Sequence, residues 1–331
     1  MHTGYQFDLA RTGHEFYSLD IPGSGEVFWD SKSRPQPPNY HRLSFSEEPP
    51  VKFDLALAHF EMGYHCLKRL DLPLIWKEHG LRWPFVVPAE WVERTAFFSF
   101  ASRMAEQAWQ VAPEAAHRKR IIGMGMDLQT YGGYAGDGGG ILVVGQNICS
   151  RGNEKGYDNL MRLARKFSIC VVGMGNEGIP GAIGAAANYG ELVRHYQRHE
   201  VFLNPSNILG MSTLEAMATG MPVVCFRMMN SDVIRNGVNG LIVDSVKEAA
   251  EALNCLLKNR ALARELGRKA RVTIREKFRV ESFVRGWNAL FQQAVDEHRC
   301  NCGQRKWAPF EIAAKPPEER RLAESVTVRA F

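Results

Sequence analysis

The chain has 331 residues, of which 45% are hydrophobic and 23% are charged, and this ordinary globular composition provides enough apolar surface for two domains. The formal net charge is +5. That small positive excess suits an anionic ligand or an acidic membrane surface. The sequence has no block of Arg and Lys with interleaved aromatic residues, the pattern that would indicate a binder of single-stranded nucleic acid.

Seven cysteines, an odd number, are scattered along the chain, and four of them lie in apolar runs where small core residues are expected. The close pair Cys300-Asn-Cys302 is expected to be part of a tail and not a zinc site. Free cysteines favour a reducing compartment. We find no signal peptide and no apolar run long enough to cross a bilayer, so we predict a cytoplasmic protein with peripheral membrane contact at most.

The N-terminal half alternates predicted strands with predicted helices. Residues 1–7 have the character of a loop, and the prolines of residues 33–39 favour a stiff, extended loop. Apolar runs predict strands at residues 14–19, 53–58, 74–76 and 95–100, with helices up to residue 70 and over residues 103–110. This repeated order of strand, loop and helix predicts a parallel sheet with helices on both faces.

A glycine-rich segment at residues 131–140 predicts a flexible connector and a hinge. Beyond it, strands are expected at residues 141–145 and 168–173, and apolar spacing predicts helices at residues 157–167, 190–199, 249–257, 261–278 and 283–295. We therefore predict an α/β protein with a first domain at residues 1–130, the hinge, a second domain at 141–298 and a charged tail at 299–331.

Residues 201–226 form the most informative stretch. A short buried strand at 201–203 is followed by the turn sequence Asn204-Pro-Ser-Asn207, and a helix over residues 214–218 is expected after a cap at Ser212 or Thr213. Gly220 and Pro222 mark the end of that helix. The helix N-terminus would lie at the carboxyl end of a parallel strand, where free N–H groups and the helix dipole favour an anionic ligand.

The sequence Leu214-Glu-Ala-Met-Ala-Thr-Gly-Met-Pro-Val-Val224 resembles the donor-binding element of retaining nucleotide-sugar glycosyltransferases of the GT-B type, closest to family 4. That family has two glutamates separated by seven residues. Glu215 matches the second glutamate, whereas Asn207 stands at the place of the first. The resemblance implies two Rossmann-like domains that face each other across a cleft. It also implies that Glu215 accepts hydrogen bonds from the donor ribose and that Asn207 and Gly210 lie beside the donor.

Arg151 and Lys155 surround a glycine-bearing loop after a predicted strand. Two cations at a helix start oppose the helix dipole, so an anionic partner explains them better than simple exposure to solvent. The pair resembles the Arg and Lys-Gly residues with which the family holds the donor diphosphate. There, a bidentate guanidinium and a compact ammonium would neutralise the charge that develops on the departing nucleotide.

His59 and His79 each follow a predicted strand of the first domain. Such positions face the ligand crevice of a parallel sheet, and the family commonly places a histidine there against the transferred sugar or the acceptor. A structural role is the alternative for each of them. Gly4 resembles the glycine of the first loop, near the donor phosphates and the acceptor, although no strand precedes it. Whether the start is truncated or this branch lacks that strand is open.

Two alternatives belong to other classes. Gly173-Met-Gly-Asn-Glu-Gly178 fits the dinucleotide fingerprint and suggests an oxidoreductase, although the element after it is short and no acidic residue ends a following strand at the expected distance. The amide at Asn207 leaves room for a non-catalytic, glycosyltransferase-like binding protein.

The resemblance implies that the protein transfers a sugar from a nucleotide-sugar co-substrate, with retention of configuration. No further cofactor is expected. No metal is expected at the diphosphate either, because the chain has no Asp-x-Asp and no clustered carboxylates. The acceptor is open, and a glycan, a lipid-linked sugar, a small metabolite or a modified nucleic acid would each fit.

Overall fold

A computed structural model describes residues 3–20, 29–44, 50–59, 61–79, 85–229 and 232–302 of the protein. The first half contains helices α1 (Thr3–Ala10), α2 (Glu61–Leu67), α3 (Ala89–Arg94) and α4 (Arg103–Ala108). Its strands are β1 (Phe16–Asp20), β2 (Tyr40–Ser44), β3 (Ala56–Ala58), β4 (Leu74–Lys77), β5 (Phe85–Val86), β6 (Thr95–Phe100), β7 (Trp109–Gln110) and β8 (Lys119–Ile121).

The second half contains strands β9 (Ile141–Val144), β10 (Ile169–Val172), β11 (Ala182–Gly184), β12 (Val201–Asn204), β13 (Val223–Phe226) and β14 (Leu241–Val243). Its helices are α5 (Ile148–Arg151), α6 (Tyr157–Ala164), α7 (Tyr189–Arg198), α8 (Met211–Thr219), α9 (Val246–Lys258), α10 (Arg260–Lys277) and α11 (Val280–Cys302). None of the helices in the described ranges is both long enough and apolar enough to pass through a bilayer.

Two parallel sheets confirm the predicted α/β class. The first sheet has the order β3-β4-β6-β8, while β1 with β2 and β5 with β7 form separate parallel pairs. The second sheet has the order β11-β10-β9-β12-β13-β14. Its apolar strands are buried on both faces, by α7, α8 and α10 on one side and by α6, α9 and part of α10 on the other.

The order of the second sheet contains a topological switch point. From β9 the chain moves outward through β10 to β11, and it then returns to place β12 on the other side of β9. The loops that leave the carboxyl ends of β9 and β12 therefore diverge, and they open a crevice between them. Residues 145–147 leave β9 at this crevice, and residues 205–210 leave β12.

Helix α11 packs on the first sheet, although the prediction assigned residues 283–295 to the second domain. Phe283, Trp287 and Phe291 are buried against apolar residues of α1, β4 and β6. The chain crosses between the domains at two adjacent points, where Met126 N–H donates to the Phe278 carbonyl (2.7 Å) and Val280 N–H to the Met126 carbonyl (3.2 Å).

The glycine-rich segment at residues 131–140 is tied to the second domain, in contrast to the flexible connector that its composition predicts. Gly136 N–H donates to the Gln197 carbonyl and Gly138 N–H to the Arg198 carbonyl, both at the end of α7. Tyr131, at its start, is buried. The described chain therefore crosses between the domains before this segment, at Met126.

The N-terminus also differs from the prediction. Residues 3–10 form the buried helix α1, so the loop expected at residues 1–7 is wrong for the described part of that range. The helix forms because Tyr5 and Leu9 lie one turn apart and both enter the core beneath α11. Of the predicted tail at 299–331, residues 303–331 lie outside the described residues, and residues 299–302 continue α11.

We expect Gly267→Ala to destabilise the second domain. A Cβ at this position of α10 would collide with the carbonyl oxygen of Gly220, at the end of α8, and neither backbone can give way easily. The expected loss is about 1–3 kcal/mol of unfolding free energy, measured by urea denaturation. Gly63→Ala in α2 is the matched control, because no described atom lies within 4 Å of the added methyl group. That control should be neutral or slightly stabilising, and equal behaviour of the two variants would contradict the collision.

Candidate functional site

Helix α8 begins at the switch point of the second sheet. It starts at Met211, three residues earlier than predicted, with Gly210 as its N-cap. The expected caps are therefore wrong: Ser212 and Thr213 lie within the helix, and no side chain in the described residues caps its N-terminus. An uncapped N-terminus presents backbone N–H groups and the positive end of the helix dipole to whatever fills the crevice. The helix ends as predicted at Gly220, which has a left-handed φ of 92°.

The loop that carries Lys155 packs against the loop before α8. Residues Gly152–Lys155 form a short 3₁₀ helix, and Gly156 follows with φ 74°. A Cβ on Gly156 would collide with the Pro205 carbonyl, so glycine permits the close approach of the two loops. Asn159 reinforces that approach by donating to the same carbonyl at 3.0 Å. Lys155 thus belongs to the same edge of the sheet as the α8 N-terminus.

Arg151 ends α5, and its guanidinium donates to the carboxylate of Glu154 within the same loop. Its side chain is 42% exposed. The structure places Arg151 on the loop of Lys155, as the sequence spacing requires, and its predicted contact with a diphosphate stays a prediction.

Asn207 lies exposed in the loop between β12 and α8. Its carbonyl accepts a hydrogen bond from Met229 N–H (2.8 Å), which joins this loop to the one after β13. Its side chain lies beside the Met229 sulfur. Asn207 and Gly210 are therefore both at the carboxyl edge of the second sheet, and their predicted contact with the donor stays a prediction.

Glu215 takes part in a buried ion pair that the sequence analysis missed. The residue is 4% exposed. One oxygen accepts from the guanidinium of Arg34, in the proline-rich loop of the first half, and the other accepts from Tyr196 Oη on α7 at 2.7 Å. The Glu215 carboxylate that the resemblance assigns to the donor ribose is thus engaged by protein groups in this structure.

Aromatic hydroxyls and rings enclose the Arg34 guanidinium. It donates to Tyr131 Oη at 2.6 Å and lies 4.3 Å from the ring centroid of Tyr189. Burial is the largest single influence and opposes the charge on Arg34, but Glu215, Tyr131, Tyr189 and Asp8 together outweigh burial and raise the pKa of Arg34. Arg34 therefore keeps its positive charge at any physiological pH. Nothing in the local sequence around Arg34 indicates this role, because its partner is 181 positions away.

Asp8 on α1 lies at the edge of this cluster. Burial raises the pKa of Asp8 from 3.8 to about 7, and the cations of Arg34 and Arg11 only partly oppose that shift. The contact with Arg11 is long, at 3.6 Å, and Arg11 is one-third exposed, so water screens it. Asp8 is therefore a carboxyl group that gains or loses its proton near neutral pH.

The two predicted histidines lie in contact with each other. His59 follows β3, His79 follows β4, and His59 Nδ1 is 2.7 Å from His79 Nε2. On its other side, His59 Nε2 is 2.9 Å from Nε2 of Gln6 on α1. Gln6, His59 and His79 therefore form a hydrogen-bonded chain. Between the two imidazoles, one of the facing nitrogens donates the proton and the other accepts it.

Helix α1 lies between the histidine pair and α8. A Cβ on Gly4 would be 3.5 Å from the Met211 methyl group and 3.6 Å from the Arg34 guanidinium. Gln6, two residues later, contacts His59. Gly4 therefore lies beside the N-terminal turn of α8, on a helix and not in a loop, and its predicted position near the donor phosphates and the acceptor stays a prediction.

The glycine motif at residues 173–178 lacks the helix of a dinucleotide site. The chain continues through turns into β11, and the next helix begins only at Tyr189. The Asn176 side chain fills the loop, donating to the Gly145 and Gly173 carbonyls and accepting from Ile148 N–H. These glycines allow tight packing between loops, and the structure gives no support to the oxidoreductase alternative.

Comparison with known proteins finds relatives of part of the sequence and of the fold. Residues 140–259 match the family model described as Glycosyl transferases group 1, and this range contains the second sheet and helices α5 to α9. Over 86 residues the chain is 37% identical to a poly(ribitol-phosphate) alpha-N-acetylglucosaminyltransferase of Staphylococcus aureus. That match spans 25% of this chain and only 17% of the length of that curated relative.

The solved structures share the fold at low sequence identity. A sucrose-phosphate synthase from Thermosynechococcus elongatus is 15% identical and superposes with a TM-score of 0.64, covering 89% of this chain and 92% of its own. The Anabaena protein Alr3699/HepE, crystallised with UDP and glucose, is 14% identical with a TM-score of 0.60, covering 77% and 86%. The fold is that of the GT-B glycosyltransferases.

We expect Arg34→Met and Glu215→Leu each to lower the unfolding free energy by about 3–5 kcal/mol, because each leaves a buried charge without its partner. The double variant should lose much less than the sum, since it removes both charges. Urea denaturation of the four proteins measures the coupling. The exposed pair of Arg227 and Asp244, joined by two hydrogen bonds of 2.7 Å, is the control and should show little coupling. Additive losses at Arg34 and Glu215 would contradict a buried pair.

A second expectation concerns Asp8→Asn. Between about pH 4 and pH 7 the folded wild type holds a proton on Asp8 that the unfolded chain has lost, so this group makes stability fall as pH rises. Raising the pKa of Asp8 from 3.8 to about 7 corresponds to about 4 kcal/mol. The variant lacks the loss of stability that Asp8 causes as pH rises, so its stability relative to wild type should increase from pH 4 to pH 7. Asp54→Asn, at a side chain that is 75% exposed, is the control. Parallel pH profiles of wild type and Asp8→Asn would contradict the assignment.

Proposed function

We propose that this protein is a glycosyltransferase that binds a nucleotide-sugar donor at the switch point of its second sheet and transfers the sugar to an acceptor held by the first domain. The observation that carries the proposal is the uncapped N-terminus of α8, packed beside the Lys155 loop. A diphosphate placed there would meet backbone N–H groups, the helix dipole and a cation together.

These groups would act mainly on the leaving nucleotide. Negative charge grows on the diphosphate as the bond from the sugar to the phosphate breaks, and fixed N–H groups with Lys155 and Arg151 stabilise that charge without reorganising. This arrangement supplies positive charge from the protein, so we propose that transfer needs no divalent cation at the diphosphate. Departure of the nucleotide with help from its own phosphate, and retention at the anomeric carbon, belong to the same proposal.

The proposed ribose contact of Glu215 requires a change in the Arg34 cluster. Glu215 already accepts from Arg34 and Tyr196, and its side chain is almost fully buried. A ribose could reach the carboxylate if the loop of Arg34 withdraws, or it could bind to the rim while Arg34 keeps Glu215 aligned. Crystals grown with UDP would distinguish these two arrangements by the position of Arg34.

On the first domain, we propose that the histidine pair contacts the acceptor or the transferred sugar. His59 and His79 follow adjacent strands, and their facing imidazole nitrogens share one hydrogen-bonded proton. Gln6 holds His59 from the side of α1, which also contacts α8. Helix α1 would thereby align the acceptor side with the donor side.

The comparisons suggest which donors to test first. Structures of Alr3699/HepE contain UDP, UDP with glucose, or UDP-glucose, and the Staphylococcus relative is named for transfer of N-acetylglucosamine. We therefore propose a UDP-sugar and a panel that begins with UDP-glucose and UDP-N-acetylglucosamine. Asn207, where the resembled family has glutamate, would select among sugars through its neutral donor and acceptor atoms.

We expect Lys155→Ala to weaken UDP binding by at least tenfold and to lower turnover as well, because the ammonium would meet the diphosphate before and during its departure. Calorimetry with UDP and a transfer assay with the sugar panel measure both effects. Lys258→Ala at the exposed C-terminal end of α9 is the control and should behave as wild type. Unchanged UDP binding in Lys155→Ala would remove Lys155 from the site, and absence of UDP binding in wild type would overturn the proposed donor.

A further inference from the structure

A cluster of three metal-ligand side chains lies on the second domain, away from the proposed donor site. Cys170 is on β10, His195 is on α7, and His199 immediately follows α7. One nitrogen of each imidazole and the Cys170 sulfur all lie within 4.8 Å of one another. Each residue is half-buried, so the cluster is enclosed by protein yet reachable from solvent.

The fold, and not chance proximity of loops, brings these side chains together. Helix α7 lies across the face of the sheet that carries Cys170, and Cys170 packs in the same apolar cluster as Leu192, Val193 and Tyr196 of that helix. His195 and His199 are four residues apart, so they follow one face of the helix toward its C-terminal end. Their ring centroids are 5.4 Å apart.

The hydrogen bonds leave the imidazoles suited to bind a metal. His199 Nδ1 is 2.9 Å from the His195 carbonyl oxygen, so Nδ1 carries the proton and Nε2 keeps its lone pair. Metal-binding histidines generally donate their second N–H to such an oxygen. His195 Nε2 is buried with no hydrogen-bond partner among the described residues.

We propose that Cys170, His195 and His199 bind one Zn²⁺ ion. A thiolate with two imidazoles, and no carboxylate among them, suits zinc and not Mg²⁺ or Ca²⁺. Ligand atoms of a tetrahedral zinc ion lie about 3.3–3.7 Å apart, so the side chains close by about 1 Å on binding. Water occupies the fourth position. The Cys170 thiol releases its proton to solvent as the sulfur–zinc bond forms.

The ion would clamp the C-terminal end of α7 onto β10. The same helix carries Tyr196, which donates to Glu215, and its last carbonyls hold the glycine-rich segment through Gly136 and Gly138. Cys170 lies toward the amino end of β10, whereas the proposed donor loops leave the carboxyl ends of β9 and β12. The role is therefore structural and is independent of the proposed transfer reaction.

The test is zinc binding to the full chain after removal of metals with a chelator. Competition against a chromophoric chelator should give one Zn²⁺ per chain, and Co²⁺ as a probe should give the thiolate-to-metal absorption and the d–d intensity of a four-coordinate site. Cys170→Ala should lose the thiolate band and bind Zn²⁺ at least 100-fold more weakly, and His199→Gln should bind at least tenfold more weakly. The controls Cys255→Ala and His117→Gln, both at exposed positions, should match wild type.

Thermal denaturation separates a lost site from a lost fold. Zn²⁺ should raise the melting temperature of wild type and of both controls, because the ion binds only the folded chain. It should leave Cys170→Ala unchanged. The metal-free melting temperatures of His199→Gln and wild type should agree. Equal Zn²⁺ affinity in wild type and Cys170→Ala, or a wild-type Co²⁺ complex without a thiolate band, would overturn the proposal whatever the outcome of the UDP experiments.

Discussion

The buried ion pair of Arg34 and Glu215 determines how the two halves of this protein meet. Removing two charges from water is expensive, so such a pair is stable only where further hydrogen bonds complete it. Tyr131 and Tyr196 supply them, and the Tyr189 ring covers the guanidinium. Arg34 comes from the first half and Glu215 from α8. The contacts that complete this ion pair therefore hold the proline-rich loop, α1 and α7 together around it.

Helix α8 has one tightly packed end and one open end. At its C-terminus, Gly220 and Gly267 let the backbones of α8 and α10 touch, so the position of the helix is set by contacts that tolerate no added methyl group. At its N-terminus, Gly210 provides no side-chain cap, and the Lys155 loop lies alongside Pro205. A rigid helix with an open, positive end is the arrangement that preorganised anion binding requires.

Helices α1 and α11 link the two domains. Helix α1 belongs to the first half, yet Gly4 contacts α8 and Gln6 contacts His59. Helix α11 follows the second domain, yet Trp287 is buried against the first sheet. Both domains therefore contribute to the surroundings of α1, and a displacement of one domain would alter contacts on both sides of the proposed site.

Elements that depend on local periodicity and turn chemistry could be read from the amino-acid order alone. The parallel α/β class, strand β12, helices α7 to α10 and the Gly220 cap were all predictable, because near neighbours in sequence specify them. Resemblance to the glycosyltransferases added donor contacts for Glu215 and Gly210, which stay predictions. The folded chain was needed to reveal the pairing of Glu215 with Arg34, the contact of His59 with His79, the meeting of Cys170 with His195, the helix at residues 3–10 and the packing of α11. These contacts join residues distant in sequence, and their energies depend on burial and partner geometry that no local pattern encodes.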